Sequence, residues 1–417
     1  MPENFHIDMP EAVRNIIHTI EEHGFKAYAV GGCIRDSILG RNPDDWDITT
    51  SAVPSQIKTF FKRTVDTGIA HGTVTIMIDK AGYEVTTYRI DGEYEDGRHP
   101  KSVEFSDRLV DDLCRRDFTI NAMAYNDTDG FVDEFNGLDD LDAKIIRCVG
   151  EPELRFTEDA LRMMRAIRFS AQLGFTIDEA TWNAIKKLSP SISKISMERV
   201  HVELGKTLMS AHPDYVAEYS EAGLFEPILP VVDNALKSRY NKKILAILRH
   251  VPDNIYLRYA ALFITSTPDE AAKTLRALKL DNKTVDTVSK LVELSKIDIE
   301  ETEPAVRTAL NKYGRDFLPL WHELMMAVLQ ASEDIIGISN PAKVKHLLTL
   351  KRLATDILAR GDCFTIKDLD ISGNDLIEYG LQGHEIGETL KSLLDIVIEN
   401  PKLNDKATLI AMIEHIK

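Results

Sequence analysis

The spacing of apolar and polar positions changes rhythm once along this chain. Up to about residue 149, short β-rich runs at 27–30, 46–50, 73–78, 83–88 and 145–149 alternate with helical stretches, and 127–130 reads as a turn. After Gly150, apolar residues recur every three or four positions to the C-terminus and strand-like runs cease. The pattern predicts an α+β fold: a mixed α/β head followed by all-α neck, body and tail. Pro and small polar residues interrupt the helical period near 211–214 and 265–269. The expected domains are therefore 1–149, 150–210, 211–268 and 269–417.

Composition narrows the class. The 417 residues are 44% hydrophobic and 28% charged, which suits a soluble protein. No apolar run approaches the roughly 18 residues that suggest a membrane span. The N-terminus, MPENFHIDMP, lacks the basic start and apolar stretch of a secretory signal. Cys33, Cys114, Cys148 and Cys363 form no CxxC pair, which argues against a disulfide framework or a structural zinc. The expected location is cytoplasmic, with no membrane partner. The net charge of −17 is unlike the basic footprint of most nucleic-acid binders. Residues 1–150 carry 16 Lys and Arg against 28 Asp and Glu, whereas 151–210 carry 9 against 8. Any polyanion contact falls to local clusters such as Lys237, Arg239, Lys242 and Lys243, or Lys343, Lys345, Lys351 and Arg352, which equally fit solvated helix faces.

The densest chemistry lies in GGCIRDSILGRNPDDWDITT, residues 31–50. A strand runs into Gly31 and Gly32 and a helix follows, a junction where backbone N–H groups approach an anion closely. Arg35 sits one turn into that helix, placed to clamp a phosphate. Asp45 and Asp47 flank Trp46 in a strand-like run, so period-two alternation puts both carboxylates on one face. Two adjacent carboxylates repel unless a cation lies between them. Mg²⁺ suits such a pair, and two ions would orient an attacking 3′-hydroxyl on one side and a triphosphate on the other.

The order GG, helix, DxDIT resembles motif A of the polymerase-β-type nucleotidyltransferases, in the branch of class II tRNA nucleotidyltransferases and bacterial poly(A) polymerases. The resemblance makes Asp45 and Asp47 metal ligands, with Gly31, Gly32 and Arg35 as triphosphate contacts. Glu84, in YEVTTYR, matches the third carboxylate that the family often supplies from a nearby strand. CRRDFTINAMAYN, 114–126, resembles motif B, which implies that Arg116, Asp117 and Asn121 surround the ribose and phosphates. DEFNGLDDLDAKIIRCVG resembles motif C, a hinge in which Gly137 supplies backbone freedom and Asp133 a non-catalytic contact.

FTEDALRMMRAIRFSAQLGF resembles motif D. Asp159 and Arg162, three apart on an expected helix, would share a face, with Arg165 one turn on. C and A both present an exocyclic amine beside a ring-nitrogen acceptor. A carboxylate accepts from the first while a guanidinium donates to the second. U and G present the reverse, so one protein template would take CTP and ATP and reject the others. The same stretch also fits Thr157 as an N-cap followed by an i,i+3 ion pair. ISKISMERVHVEL resembles motif E, a bracing helix with Ser196 as its cap, and residues 368–395 resemble the bacterial tail, where Gly383 and Gly387 flank a helix start suited to a tRNA phosphate.

The resemblance implies a template-independent enzyme that adds CCA to the 3′ end of tRNA from CTP and ATP, with no role for DNA. RIDGEYEDGRHPKSVEF, 89–105, reads as a mobile loop of the kind that accompanies A addition, which disfavours a CC-only enzyme. The acidic chain lacks the basic C-terminal extension usual in the poly(A) polymerases, and RYAALF running into ITST holds no His-Asp pair for phosphatase activity. An A-adding enzyme beside a CC-adding partner, and a tRNA-binding module without chemistry, stay open. So does the choice between monomer and homodimer.

Overall fold

The computed structural model describes residues 6–92 and 103–416, so most of the expected 89–105 loop lies outside the described residues. The chain divides into two compact units, Met1–Pro230 and Val231–Lys417.

In the first unit, α1 (Glu11–Glu22) leads to β1 (Ala27–Val30), α2 (Gly32–Ile38), β2 (Ile48–Thr50), α3 (Pro54–Phe60), β3 (Thr64–Gly68), β4 (Thr73–Ile78) and β5 (Ala81–Thr87). The short strands β6 (Arg89–Asp91) and β7 (Val103–Phe105) pair as a separate antiparallel ribbon, which forms the base of the expected loop. After α4 (Leu109–Cys114), the strands β8 (Met123–Asn126) and β9 (Gly130–Asp133) make a hairpin around the predicted turn. Among the described residues the main sheet has seven strands, in the order β3-β4-β5-β2-β1-β8-β9. Only β2 and β5 run parallel within it; the other neighbours are antiparallel.

The strands β1 and β2 are central, and every residue in both is buried. Two threonines tolerate that position because each hydroxyl has an acceptor. The one Thr49 O–H is shared between the Thr86 carbonyl and Asp112, and Thr50 donates to the Lys26 carbonyl. The amphipathic α1 buries Val13, Ile16, Ile17 and Ile20 beside β1. The predicted strand at 46–50 starts later than expected. Trp46 and Asp47 lie outside the ladder, which begins at Ile48.

Gly137 opens α5 (Gly137–Asp142), and Asp133 accepts from the N–H groups of Gly137 and Leu138. The hinge expectation needs correction here. Gly137 does not adopt positive φ, and a β-carbon built on it would lie 2.3 Å from the Thr119 carbonyl oxygen. The site demands glycine for close approach. Gly137→Ala is expected to destabilise the first unit by about 3 kcal/mol, the upper end for overpacking, because backbone cannot swing aside as a side chain can. A lower urea midpoint at unchanged slope would show it.

The remainder of the first unit is helical: α6 (Pro152–Glu158), α7 (Leu161–Leu173), α8 (Glu179–Leu188), α9 (Met197–Leu208) and α10 (Val216–Glu221). Strands do not vanish after Gly150 as the periodicity suggested. The two-residue β10 (Ile145–Ile146) pairs in parallel with β11 (Thr176–Ile177). The predicted break at 211–214 is a 3-10 turn, Pro213–Tyr215. Ser196 does occupy the N-cap of α9, but its hydroxyl makes no capping bond.

The second unit is helical among its described residues. The helix α11 (Pro230–Leu236) spans the boundary; α12 (Asn241–His250), α13 (Ile255–Leu262), α14 (Pro268–Ala277), α15 (Asn282–Leu294), α16 (Glu303–Tyr313), α17 (Phe317–Ile336), α18 (Pro341–Arg360), α19 (Gly373–Glu378), α20 (His384–Glu399) and α21 (Lys406–Ile416) follow. The predicted break at 265–269 is the capping box of α14, where Thr267 and Glu270 satisfy each other's N–H groups. Leu376, Leu393, Val397 and Leu409 centre a core shared by α19, α20 and α21. Gly383 caps α20 at positive φ.

Candidate active site

The two carboxylates of the DWD run face the same way. Residues 45–48 alternate exposed, buried, exposed, buried, with Trp46 and Ile48 turned into the core. The Val30 N–H donates to the Asp47 carbonyl at 3.0 Å, tying this segment to β1. Asp47 keeps solvent contact, yet surrounding protein strips enough hydration to push its pKa up. The Arg116 charge opposes this rise and the Asp45 charge adds to it. Burial, then the charge of Asp47, push the nearby Cys33 thiol up to about 12, so it stays neutral. Ile48 pairs with Val85, so extending that parallel register by one residue sets Glu84 beside Asp47 on the same face. Among the described residues, however, no three His, Cys, Asp or Glu side chains gather closely enough to form a ready metal cage.

At the glycine turn, Gly31 adopts φ 86° and ψ −130°, which side chains disfavour. Its N–H is already donated to the Met123 carbonyl, and Gly32 begins α2. A β-carbon on Gly31 would come within 2.9 Å of Arg116 Nη1. Glycine here makes room for the arginine.

The expectation of Arg35 as an open phosphate clamp does not fit its surroundings. The side chain is 9% exposed. Its Nε and Nη2 bond Asp36, its Nη1 donates to Asn121 Oδ1 at 2.6 Å, and the guanidinium lies 5.0 Å from the Phe169 ring centroid. Asn121 in turn donates to Asp117 at 3.0 Å, and Asp117 accepts from Arg165 Nε at 2.8 Å. This chain of bonds links the glycine-turn helix α2 to α7. Burial alone would raise the pKa of Asp117, but the Arg165 charge and the bond from Asn121 outweigh it and hold the pKa well below the usual range. Asp117, Asn121 and Arg165 are thus already satisfied by one another.

Arg116 differs. It shares the wholly buried Asp112 with Arg115: Arg115 Nη2 reaches Oδ1 at 2.6 Å and Arg116 Nη2 reaches Oδ2 at 3.2 Å. Thr49 Oγ1 also donates to Oδ2, at 3.1 Å. Burial pushes the Asp112 pKa up, but the two arginines overcome this and keep it ionised.

Asp159 and Arg162 are not on one helix. Asp159 is extended, at φ −145° and ψ 104°, in the break between α6 and α7. Its Oδ1 accepts from the Leu161 N–H, and Arg199 grips both oxygens at 3.2 and 2.7 Å. Arg162 instead donates to Glu158 at 2.6 Å and to the carbonyls of Arg155 and Arg115. The chain kinks at Asp159, which turns its carboxylate toward the Leu161 N–H and Arg199. Thr157 lies inside α6 and donates to the Glu153 carbonyl, so it is no N-cap.

Three family models tile the chain. "Poly A polymerase head domain" matches residues 27–147, "Probable RNA and SrmB- binding site of polymerase A" matches 174–236, and the second domain of tRNA nucleotidyltransferase matches 254–413. A CCA-adding enzyme of Pediococcus pentosaceus is 34% identical over 415 residues, covering 98% of both chains. The chain belongs to the CCA-adding enzyme family. It is a nucleotidyltransferase. The CCA-adding enzyme of Lactiplantibacillus plantarum is 53% identical over 203 residues, 49% of this chain and 50% of that one. A solved CCA-adding enzyme of Bacillus stearothermophilus, in complex with CTP, superposes with a TM-score of 0.75 at 32% identity, covering 97% and 96% of the two chains.

Sequence reasoning missed three side chains that hold the predicted site residues. Asp112 had a signal: it precedes Arg115 and Arg116 by three and four residues, the spacing of helical ion pairs. Glu158 had the same i,i+4 signal toward Arg162. Arg199, 40 residues from Asp159, had none.

Proposed function

We propose that this nucleotidyltransferase adds C, C and A to the 3′ end of tRNA, consuming CTP and ATP and releasing pyrophosphate. The observation that carries the reading is the pair of outward carboxylates, Asp45 and Asp47, beside an arginine held at the glycine turn, in a chain matched end to end by CCA-adding enzymes. The donor set fits Mg²⁺: two adjacent, accessible carboxylates whose charges oppose one another. Asp45 and Asp47 would hold two such ions, with Glu84 next along the sheet face. Bound there, Mg²⁺ lowers the cost of charge on the attacking 3′-oxygen and on the leaving pyrophosphate.

The protein's own side chains bind and select. The N–H groups that open α2 at Gly32, together with Arg116, receive the triphosphate. Arg35, Asn121, Asp117 and Arg165 hold the wall behind it. A carboxylate offers about four lone-pair sites. Three hydrogen bonds reach Asp159 from Leu161 and Arg199, which leaves room for one exocyclic amine. Arg162 completes the match by turning one N–H from a backbone carbonyl to the ring nitrogen. The helical second unit binds tRNA, and the enzyme works in the cytoplasm.

The test is purified protein with Mg²⁺, tRNA lacking its end, and labelled nucleotides supplied singly and together. CTP followed by ATP incorporation is the expected result. Use of ATP alone, on tRNA already ending in CC, would make this an A-adding enzyme. Absence of any incorporation would leave only a binding module.

A further inference from the structure

Asp112 has no solvent contact and sits at the crossing of three elements. It rises from α4, takes both guanidiniums of the Arg115–Arg116 pair, and is pinned to β2 through Thr49, two residues after Asp47 on the same strand face. Both guanidiniums converge on this one carboxylate. Asp112 holds Arg116 at the glycine turn, where its Nη1 occupies the space a Gly31 side chain would fill. Arg116 Nε is buried and has no acceptor among the described residues, so this guanidinium has donor capacity to spare. Arg115, by contrast, gives Nε and Nη2 to the same Asp112 oxygen.

We infer that Asp112 is a positioning residue for nucleotide entry: it fixes Arg116 between the Gly31 turn and Asp47, so that an incoming nucleoside triphosphate meets a guanidinium already in place. The inference rests on the nucleotidyl-transfer reading above. An arginine ordered in advance loses less rotamer freedom when it binds phosphate. An amide cannot replace the carboxylate. Its NH₂ would face the N–H groups of one arginine or the other, and one guanidinium would leave its place.

The experiment is a double-mutant cycle between Asp112→Asn and Arg116→Ala, read as KM for CTP and ATP and as kcat. In the otherwise native enzyme, Asp112→Asn should raise KM about 10- to 100-fold, a loss of roughly 1.4–2.7 kcal/mol at 1.36 kcal/mol per tenfold. The rise in KM should exceed the fall in kcat, and binding of tRNA should be unchanged. With Arg116 already Ala, the same substitution should change KM less than twofold. Asp112→Glu, which keeps the charge, should recover most of the affinity. It also serves as the test variant if Asp112→Asn fails to fold, with a several-fold KM rise expected only when Arg116 is present. Equal, multiplicative effects with and without Arg116 would overturn the inference, as would a loss confined to kcat and thermal stability. The reading beneath it fails separately: native protein would incorporate no nucleotide at all.

Discussion

Asp47→Ala is expected to lower nucleotide incorporation by about 10³-fold or more while the protein stays folded and still binds tRNA. The magnitude follows from removing one of the two proposed ligands of a cation that would stabilise developing charge by several kcal/mol, at about 1.36 kcal/mol per tenfold. The fold should survive because the Asp47 side chain points outward, and the contact that ties this segment to β1 comes from its backbone carbonyl. Loss of the carboxylate also relieves the repulsion with Asp45 and removes a negative charge from a surface proposed to face RNA phosphates. Binding of tRNA should therefore hold or tighten slightly. Incorporation of labelled CMP and AMP, set beside a tRNA gel shift and a thermal melt, separates the effects. Retained activity in Asp47→Ala would overturn the metal assignment.

Asp159→Ala and Arg162→Ala should each loosen base choice more than they weaken triphosphate binding. A mismatched base against the intact pair leaves buried polar groups unpaired, at about 1–3 kcal/mol each. Deleting one partner removes that penalty, so discrimination against UTP and GTP should fall by about 10- to 100-fold. The two variants are not equivalent. Asp159 also receives both Nη groups of Arg199, so its loss strands a second arginine and should cost more stability. Arg162 is braced by Glu158 and two backbone carbonyls, none of which depends on the base. Misincorporation assays with each of the four nucleotides in turn are the measurement. Unchanged fidelity in both variants would mean that the base is read elsewhere.

Local patterns were the legible part of this chain. The strands at 27–30 and 73–78 stand where short β-rich runs placed them, and both lie away from the edges of the sheet. Met123–Asn126 was harder to see. It is buried along its length, so it lacks the alternation that marks a half-exposed strand. Gly137 was read as a flexible joint, yet its glycine is required by a carbonyl 18 residues earlier in the chain.

By itself the sequence determined the chemical inventory. Two aspartates spaced to share a face, a glycine pair at a strand-to-helix turn and arginine runs at 115–116 and 162–168 are each local patterns, within which backbone geometry dictates side-chain direction. The tertiary structure alone decided which charge answers which. Arg35 meets Asn121 across 86 positions and is consumed, Arg116 is left with a donor unspent, and Asp159 finds Arg199, 40 positions away. Charge pairing depends on distance through space and on what water each group has lost, and neither is written in the order of residues.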